Sequence, residues 1–523
     1  MFGKPETVAK VIEQKGMIII MKNNMLSKIV CLMLACLMLI PLAACGKAQD
    51  GGSDTTTAAP DAGTTAPAAD GENTGSAETE NVDENGYLKD DLDPSRNFGN
   101  KEFTLLYWSD REHEEFYVES LKGDLVEDAL YNRNQAVEER LGMTFAYATT
   151  PGNANNLDAF VQKVSTSITA GDHAYDLVSA HSQTIGVCAS KNLLYDINEL
   201  QNIDFEKPWW PEKLIEQATM GDNLFFVSGD ISANMIYMMY VTFFNKDLLE
   251  THNLEDPYAL VEQGKWTIDK MFEMCSGMYS DLNGNGIKDE GDQFGLYTYK
   301  LYVCDSLLWG SDIVILDTTD DTPVFSADFL GEKTLNLQEK IHQLLNDSQD
   351  GFLLSKGTYS HFAGGASLFW NDRCRQAITF SGADVNYGIV PIAKYDEDQT
   401  QHATAIAHPF SLYGVPQDTQ KTDMTGAVLE CMASESYRNV SPALYEVAFK
   451  LKYSQDDVSA KMFDIARSTV VFDLGRLMSS ALGNPTWKWQ DAITGTTVWT
   501  TIVKQYQNAW NKKLDNLLST IYK

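Results

Sequence analysis

The chain has 523 residues, with 73 acidic against 40 basic side chains and a formal net charge of −33. That balance argues against nucleic acid or anionic lipid as a partner and fits a ligand that is neutral or cationic. The hydrophobic content of 44% is ample for buried cores in two or three domains.

Met21-Lys22-Asn23-Asn24 is an ordinary start for a secretory signal, so translation is expected to begin at Met21, with residues 1–20 an upstream extension. Lys22 and Lys28 precede an apolar run from Ile29 to Leu42. As a helix that run spans roughly 21 Å, too short for a ~30 Å bilayer core, so residues 21–44 read as a signal peptide. The run ends in Leu42-Ala43-Ala44-Cys45-Gly46, which resembles the lipobox of bacterial lipoproteins. The resemblance implies cleavage before Cys45, a lipid on its thiol, and a mature chain anchored on the outer face of the cell membrane, where two acyl chains hold stably. The alternative is an ordinary signal that happens to end in Cys.

From Cys45 to residue 99 the chain is Ser, Thr, Ala, Gly, Pro and acid, as in Asp54-Thr55-Thr56-Thr57-Ala58-Ala59-Pro60. It is expected to be a disordered acidic linker reaching roughly 40 Å as a flexible coil. Beyond it lie Cys188, Cys275, Cys304, Cys374 and Cys431, an odd number with no C-x-x-C spacing, which reads as buried free thiols.

Phe103 to Tyr107 reads as a buried strand, and Leu125, Ala129, Val137 and Leu141 as one face of a helix stopped at Gly142. A second strand from Met143 to Tyr147 follows, then a helix lined by Leu157, Phe160, Val161, Val164 and Ile168 and closed by Gly171, then a third strand from Tyr175 to Ser179. Strands alternating with helices predict an α/β fold with a mostly parallel sheet and ligands beyond the strands' carboxyl ends. That places Trp108, Ser109 and Asp110 in one loop and His181, Ser182 and Gln183 in its neighbour. Met235 to Phe244 reads as another strand, Trp266-Thr267-Ile268-Asp269 as a helix start capped by Thr267, and the last third as largely helical.

Tyr175-Asp176-Leu177-Val178, Lys207-Pro208-Trp209-Trp210, Gly229-Asp230-Ile231-Ser232, Phe244-Asn245-Lys246-Asp247-Leu248, Gly264-Lys265-Trp266-Thr267, Asp292-Gln293-Phe294-Gly295-Leu296 and Asn386-Tyr387-Gly388-Ile389-Val390-Pro391 carry a further likeness. In their order and spacing the chain resembles the extracellular solute-binding proteins of ABC transporters, in particular the carbohydrate-binding branch from Gram-positive bacteria. The resemblance implies a two-lobe periplasmic-binding-protein-like fold of type II, with hinge crossover strands near Ile236–Val241 and Trp370–Ala383. Lobe 1 would combine residues 100–238 with 376–436, and lobe 2 residues 239–375 with 437–523. It also implies a monomer that closes on a saccharide and delivers it to ABC permease subunits.

A saccharide wants flat aromatic partners for its ring faces and planar polar groups for its hydroxyls. Trp108, Trp370 with Asn371, Trp309, His181, Ser182 and Asp230 are the candidates. Each Trp has the alternative of a core or lobe-interface role, His181 that of a helix-capping or surface histidine, and Asp230 that of a turn residue beside Gly229. Trp209, Trp210 and Trp266 read as structural.

Asp281-Leu282-Asn283-Gly284-Asn285-Gly286-Ile287-Lys288-Asp289-Glu290-Gly291-Asp292 resembles a calcium loop of EF-hand type. Asp281, Asn283, Asn285, Ile287 through its carbonyl, Asp289 and Asp292 stand at ligand positions. The last ligand is Asp where Glu is usual, and an Asn/Gly-rich surface turn is the alternative. A bound Ca2+ would be structural.

No G-x-S-x-G, H-E-x-x-H, S-x-x-K or P-loop occurs, and His113-Glu114-Glu115-Phe116-Tyr117 has Tyr where a zincin's second His belongs. A non-enzymatic binding protein is expected. A non-sugar solute, a sensor role, or a lipid-anchored glycoside hydrolase are the rival readings.

Overall fold

The computed structural model describes residues 81–319 and 322–521. The expected signal peptide, Cys45 and most of the expected linker lie outside the described residues. No helix among the described residues is long and apolar enough to cross a membrane.

Two sheets organise the chain. The first has the order β11-β3-β1-β2, from β1 (Lys101–Trp108), β2 (Met143–Thr150), β3 (Leu177–His181) and β11 (Ser411–Gly414). Its first three strands are parallel and β11 is antiparallel. The parallel pairs are joined by α1 (Leu125–Leu141) and α2 (Leu157–Ala170). Asp124 caps α1 by accepting from the Val126 and Glu127 N–H groups, and Gly142 ends it with φ 56°, a left-handed conformation that suits glycine. Ser182–Ser190 forms α3 directly after β3.

The second sheet has the order β10-β4-β9-β5-β8. It comprises β4 (Tyr240–Asn245), β5 (Phe294–Tyr299), β8 (Gly351–Leu354), β9 (Ser367–Arg373) and β10 (Tyr387–Pro391). β4 runs antiparallel to both neighbours, while β5 is parallel to β8 and β9. Lys300–Gly310 forms α4, and β6 (Leu316–Asp317) pairs with β7 (Val324–Phe325) in a small hairpin. Four strands of this sheet (β4, β9, β10 and, but for Tyr299, β5) are buried throughout, as expected for a sheet covered on both faces.

The sheets define two lobes, and three segments lie side by side where they join. Met239 bridges Ile406 antiparallel, and Thr404 bridges Val470 parallel. The chain enters lobe 2 here, with Ala233–Tyr237 a short helix rather than the start of a strand. It returns through residues 392–410. The return expected near Trp370–Ala383 is therefore corrected: β10 pairs with β4 over Tyr387–Pro391, which keeps residues 376–391 in lobe 2.

Helix α5 (Thr422–Glu435) and the π-helical turn Ser436–Val440 pack along α1 with lobe 1, not lobe 2 as expected from residue 437 on, and the π-helical stretch Pro442–Tyr453 then spans the junction, packing on α1 and on Asp457–Ser468. Helix α6 (Asp457–Ser468) packs on β10 of lobe 2, and α7 (Trp499–Ile521) closes the chain. Along α7 the buried face is Ile502, Val503, Trp510, Leu514 and Leu517.

The folded body also starts earlier than residue 100. Asp90, 1% exposed, makes a two-pronged ion pair at 2.5 Å with Arg140 of α1, and its N–H donates to Ser434 of α5. A buried carboxylate matched by a guanidinium fork is an anchor, so residues 81–99 are not a free linker. The five cysteines of the body are free and buried.

Candidate functional site

The parallel strands of both sheets point their carboxyl ends at the seam between the lobes. β1 leads there into Asp110-Arg111-Glu112-His113, and β3 into His181-Ser182-Gln183. β5 leads into Tyr302 of α4, and β9 ends in Asp372-Arg373. Ion pairs cross the seam: Glu112 of lobe 1 accepts from Arg373 at 3.2 Å and from Arg375, both of lobe 2. Arg373 also donates to Tyr302 Oη at 3.0 Å and to Asp372 Oδ1 at 3.1 Å, and its guanidinium lies 5.1 Å over the Tyr302 ring. Burial pushes the Asp372 carboxyl up, and the neighbouring Arg373 opposes that push.

On the lobe 1 side Trp108, His181 and Ser182 come together. The Trp108 and His181 rings meet edge to face at 5.8 Å, and His181 stacks on His408 at 5.9 Å. Ser182 Oγ donates to the His408 carbonyl at 2.9 Å. Trp108 Nε1 donates to Ser411 Oγ at 2.9 Å, and Ser411 donates to the buried Glu115. Burial depresses His181 to about 3 and holds His408 well below the ordinary imidazole range, so both are neutral at neutral pH. His181 also caps α3, its Nδ1 accepting the Gln183 N–H.

Trp309 lies on the other side of the seam. Its Nε1 donates to Asp473 Oδ2 at 2.8 Å, and the Arg476 guanidinium sits 3.9 Å over its ring. Arg476 is paired with Asp305 at 3.1 Å, yet its Nε and Nη1 have no partner although the residue is 5% exposed. Unspent donors on a buried guanidinium are costly alone, and a ligand oxygen would satisfy them.

Trp370 and Asn371 are placed differently. Both are fully buried in the middle of β9. Trp370 Nε1 donates to Asp372 Oδ2 at 3.1 Å, and Asn371 links Thr242 to Ser306. Neither offers an open face: Trp370 supports the Asp372–Arg373 rim from beneath. Asp230 has neighbours of its own, Ser441 and Arg467, the latter at 3.2 Å. It faces a cavity of about 240 Å³ against the crossover residues Ile236, Met239, Ile406 and Val470. Burial raises its carboxyl, and Arg467 opposes this. Trp209, Trp210 and Trp266 are buried.

Sequence reasoning missed Glu112, Tyr302, Arg373, Arg375 and Arg476. A signal existed for some of them. Asp372-Arg373 closes a strand with an apolar middle, and Asp305-Ser306 interrupts the apolar Leu301–Trp309 stretch, where a buried charge needs a partner.

No family profile matches the chain, and no curated protein matches it. Solved structures do. A galacto-N-biose-/lacto-N-biose I-binding protein of an ABC transporter from Bifidobacterium longum, in complex with lacto-N-biose, aligns with a TM-score of 0.54 at 12% identity over 80% of this chain and 98% of that one. The GacH receptor of Streptomyces glaucescens, solved unliganded and with acarbose, gives 0.52 at 14% over 79% and 99%. An ABC substrate-binding protein from Listeria monocytogenes, in complex with cycloalternan, gives 0.50 at 15% over 81% and 99%. At such identities the likeness is one of architecture alone. The chain has the two-lobed α/β fold of type II periplasmic binding proteins.

Proposed function

We propose that the protein is the extracellular substrate-binding component of an ABC importer, and that it captures a saccharide, probed best as an oligosaccharide, between its lobes without altering it. The observation that carries this reading is the seam itself. Strand ends from two sheets and the short helix Leu474–Leu477 bring a buried Arg476 with unspent donors, stacked on the buried Trp309, together with Tyr302 and the Glu112–Arg373 pair, to the junction of the lobes. Fixed polar donors beside aromatic side chains are what a sugar's hydroxyls and ring require. The saccharide ligands of the three neighbours support the same class.

Capture requires that ligand favour the closed state over the open one. In this arrangement ligand hydroxyls take the Arg476 donors, and the Glu112 ion pairs re-form as the lobes meet. Delivery to permease subunits, with a lipid on Cys45 tethering the chain at the outer face of the membrane, completes the cycle. The protein acts as a monomer. Binding is favoured over hydrolysis because the seam's acids are engaged. Glu112, Asp305 and Asp372 face guanidinium groups, and Asp473 holds Trp309.

The test is a thermal-shift screen of the full chain against a glycan panel, with product analysis of every hit. A saccharide that raises the unfolding temperature and is recovered intact supports the reading, because binding to the folded state stabilises by mass action. No shift with any glycan, or cleaved products, overturns it.

A further inference from the structure

The loop Asp281–Asp292 lies ahead of β5 in lobe 2, and its neck is closed by a two-way backbone pair between Ser280 and Gln293. Asp292 ends the loop and is fully buried. Its Oδ2 accepts the Asp289 N–H at 3.1 Å and the Tyr279 hydroxyl at 3.3 Å, while its Oδ1 is buried with no partner at all. A carboxylate oxygen sealed from water and left unbonded is a strong cost in a folded protein, and a cation removes it.

We propose that this loop binds one structural Ca2+, with Asp292 Oδ1 as the ligand that closes the coordination shell. The remaining oxygens come from Asp281, Asn283, Asn285 and Asp289 at alternate positions, with the Ile287 carbonyl between them; the Ile287 side chain itself is exposed. Among the described residues no three His, Cys, Asp or Glu side chains converge as a ready-made cluster, so the set draws on amide and carbonyl oxygens as well. An all-oxygen shell of six suits a hard cation and disfavours zinc. Mg2+ keeps most of its waters and gains little from such a loop.

The bound ion acts on the second sheet. Tyr297 Oη of β5 donates to the Glu290 and Asp292 carbonyls, both at 2.9 Å, so fixing the loop fixes the start of β5. The other end of that strand leads into Tyr302 at the seam. The ion therefore stiffens lobe 2 without touching ligand, and the inference stands whether or not the ligand is a saccharide.

Calorimetric titration of the chelator-treated full chain with Ca2+, and with Mg2+ as control, tests this together with thermal unfolding. The expected result is one equivalent of Ca2+ bound, a rise in unfolding temperature of several degrees, and a far weaker response to Mg2+. Asp292→Asn keeps shape and removes charge, and it should weaken Ca2+ binding at least roughly tenfold. No heat and no shift up to about 10 mM Ca2+ overturns the site, since even weak extracellular loops bind below that. An unchanged response in a folded Asp292→Asn variant overturns it equally.

Discussion

On the lobe 1 side of the seam Trp108, His181, Ser182 and His408 hold one another as neutral groups, whereas the lobe 2 side presents Arg373, Arg375 and Arg476 as cations matched to Glu112 and Asp305. The first arrangement depends on protonation state, because it holds only while burial keeps both imidazoles neutral. The second does not, because guanidinium stays charged; it depends on its carboxylate partners and on the core beneath. The contrast says which side each perturbation reaches.

The largest effect is expected from Trp370→Ala. The ring is fully buried under the lobe 2 rim, so truncation should cost about 3–5 kcal/mol of unfolding free energy in urea titrations. A loss of ligand affinity with stability intact would instead make Trp370 a ligand platform.

Acid should break the lobe 1 side first. The unfolded chain's imidazole titrates near 6.5, while burial holds His181 at about 3. Between those values the unfolded state binds the extra proton, so stability is complete above pH 6.5 and declines as pH falls. From pH 7 to pH 4 this group should account for about 2–3 kcal/mol, and His181→Gln should flatten the decline by that amount. Parallel wild-type and variant stability curves would clear His181 of that role.

Glu112→Gln should produce the smallest change, about 1 kcal/mol in the balance between open and closed lobes, because these pairs are partly exposed. A larger radius of gyration in small-angle scattering and a few-fold weaker ligand are the expected readouts. High salt should reproduce both in the wild type. Unchanged scattering would mean that the pairs do not hold the lobes together.

The strand–helix alternation of lobe 1 was open to reading because its signals are local. Gly142 and Gly171 stop helices, and short apolar runs start strands. The place of Tyr387–Pro391 was not: five apolar residues announce a strand without naming its partner, which here is β4, far back in the chain. The same limit hid the cluster at the seam. Trp108 and His181 follow strand ends and could be named from spacing. Arg476 earns its place only through Asp305 and Trp309, and nothing near it in sequence announces either contact. Trp370 misled for the complementary reason, since an aromatic beside a polar residue looks alike in a cleft and in a central strand.

The three adjacent segments at Met239, Ile406 and Val470 carry a mechanical consequence. One flexible connection would let a lobe swivel in any direction, whereas crossing segments tied to each other and to a third by backbone bridges resist torsion and leave bending about a single axis as the soft coordinate. Every approach of the halves must then retrace one arc. Complementarity has to be met only along that arc, which is how so few side chains can define a specific grip.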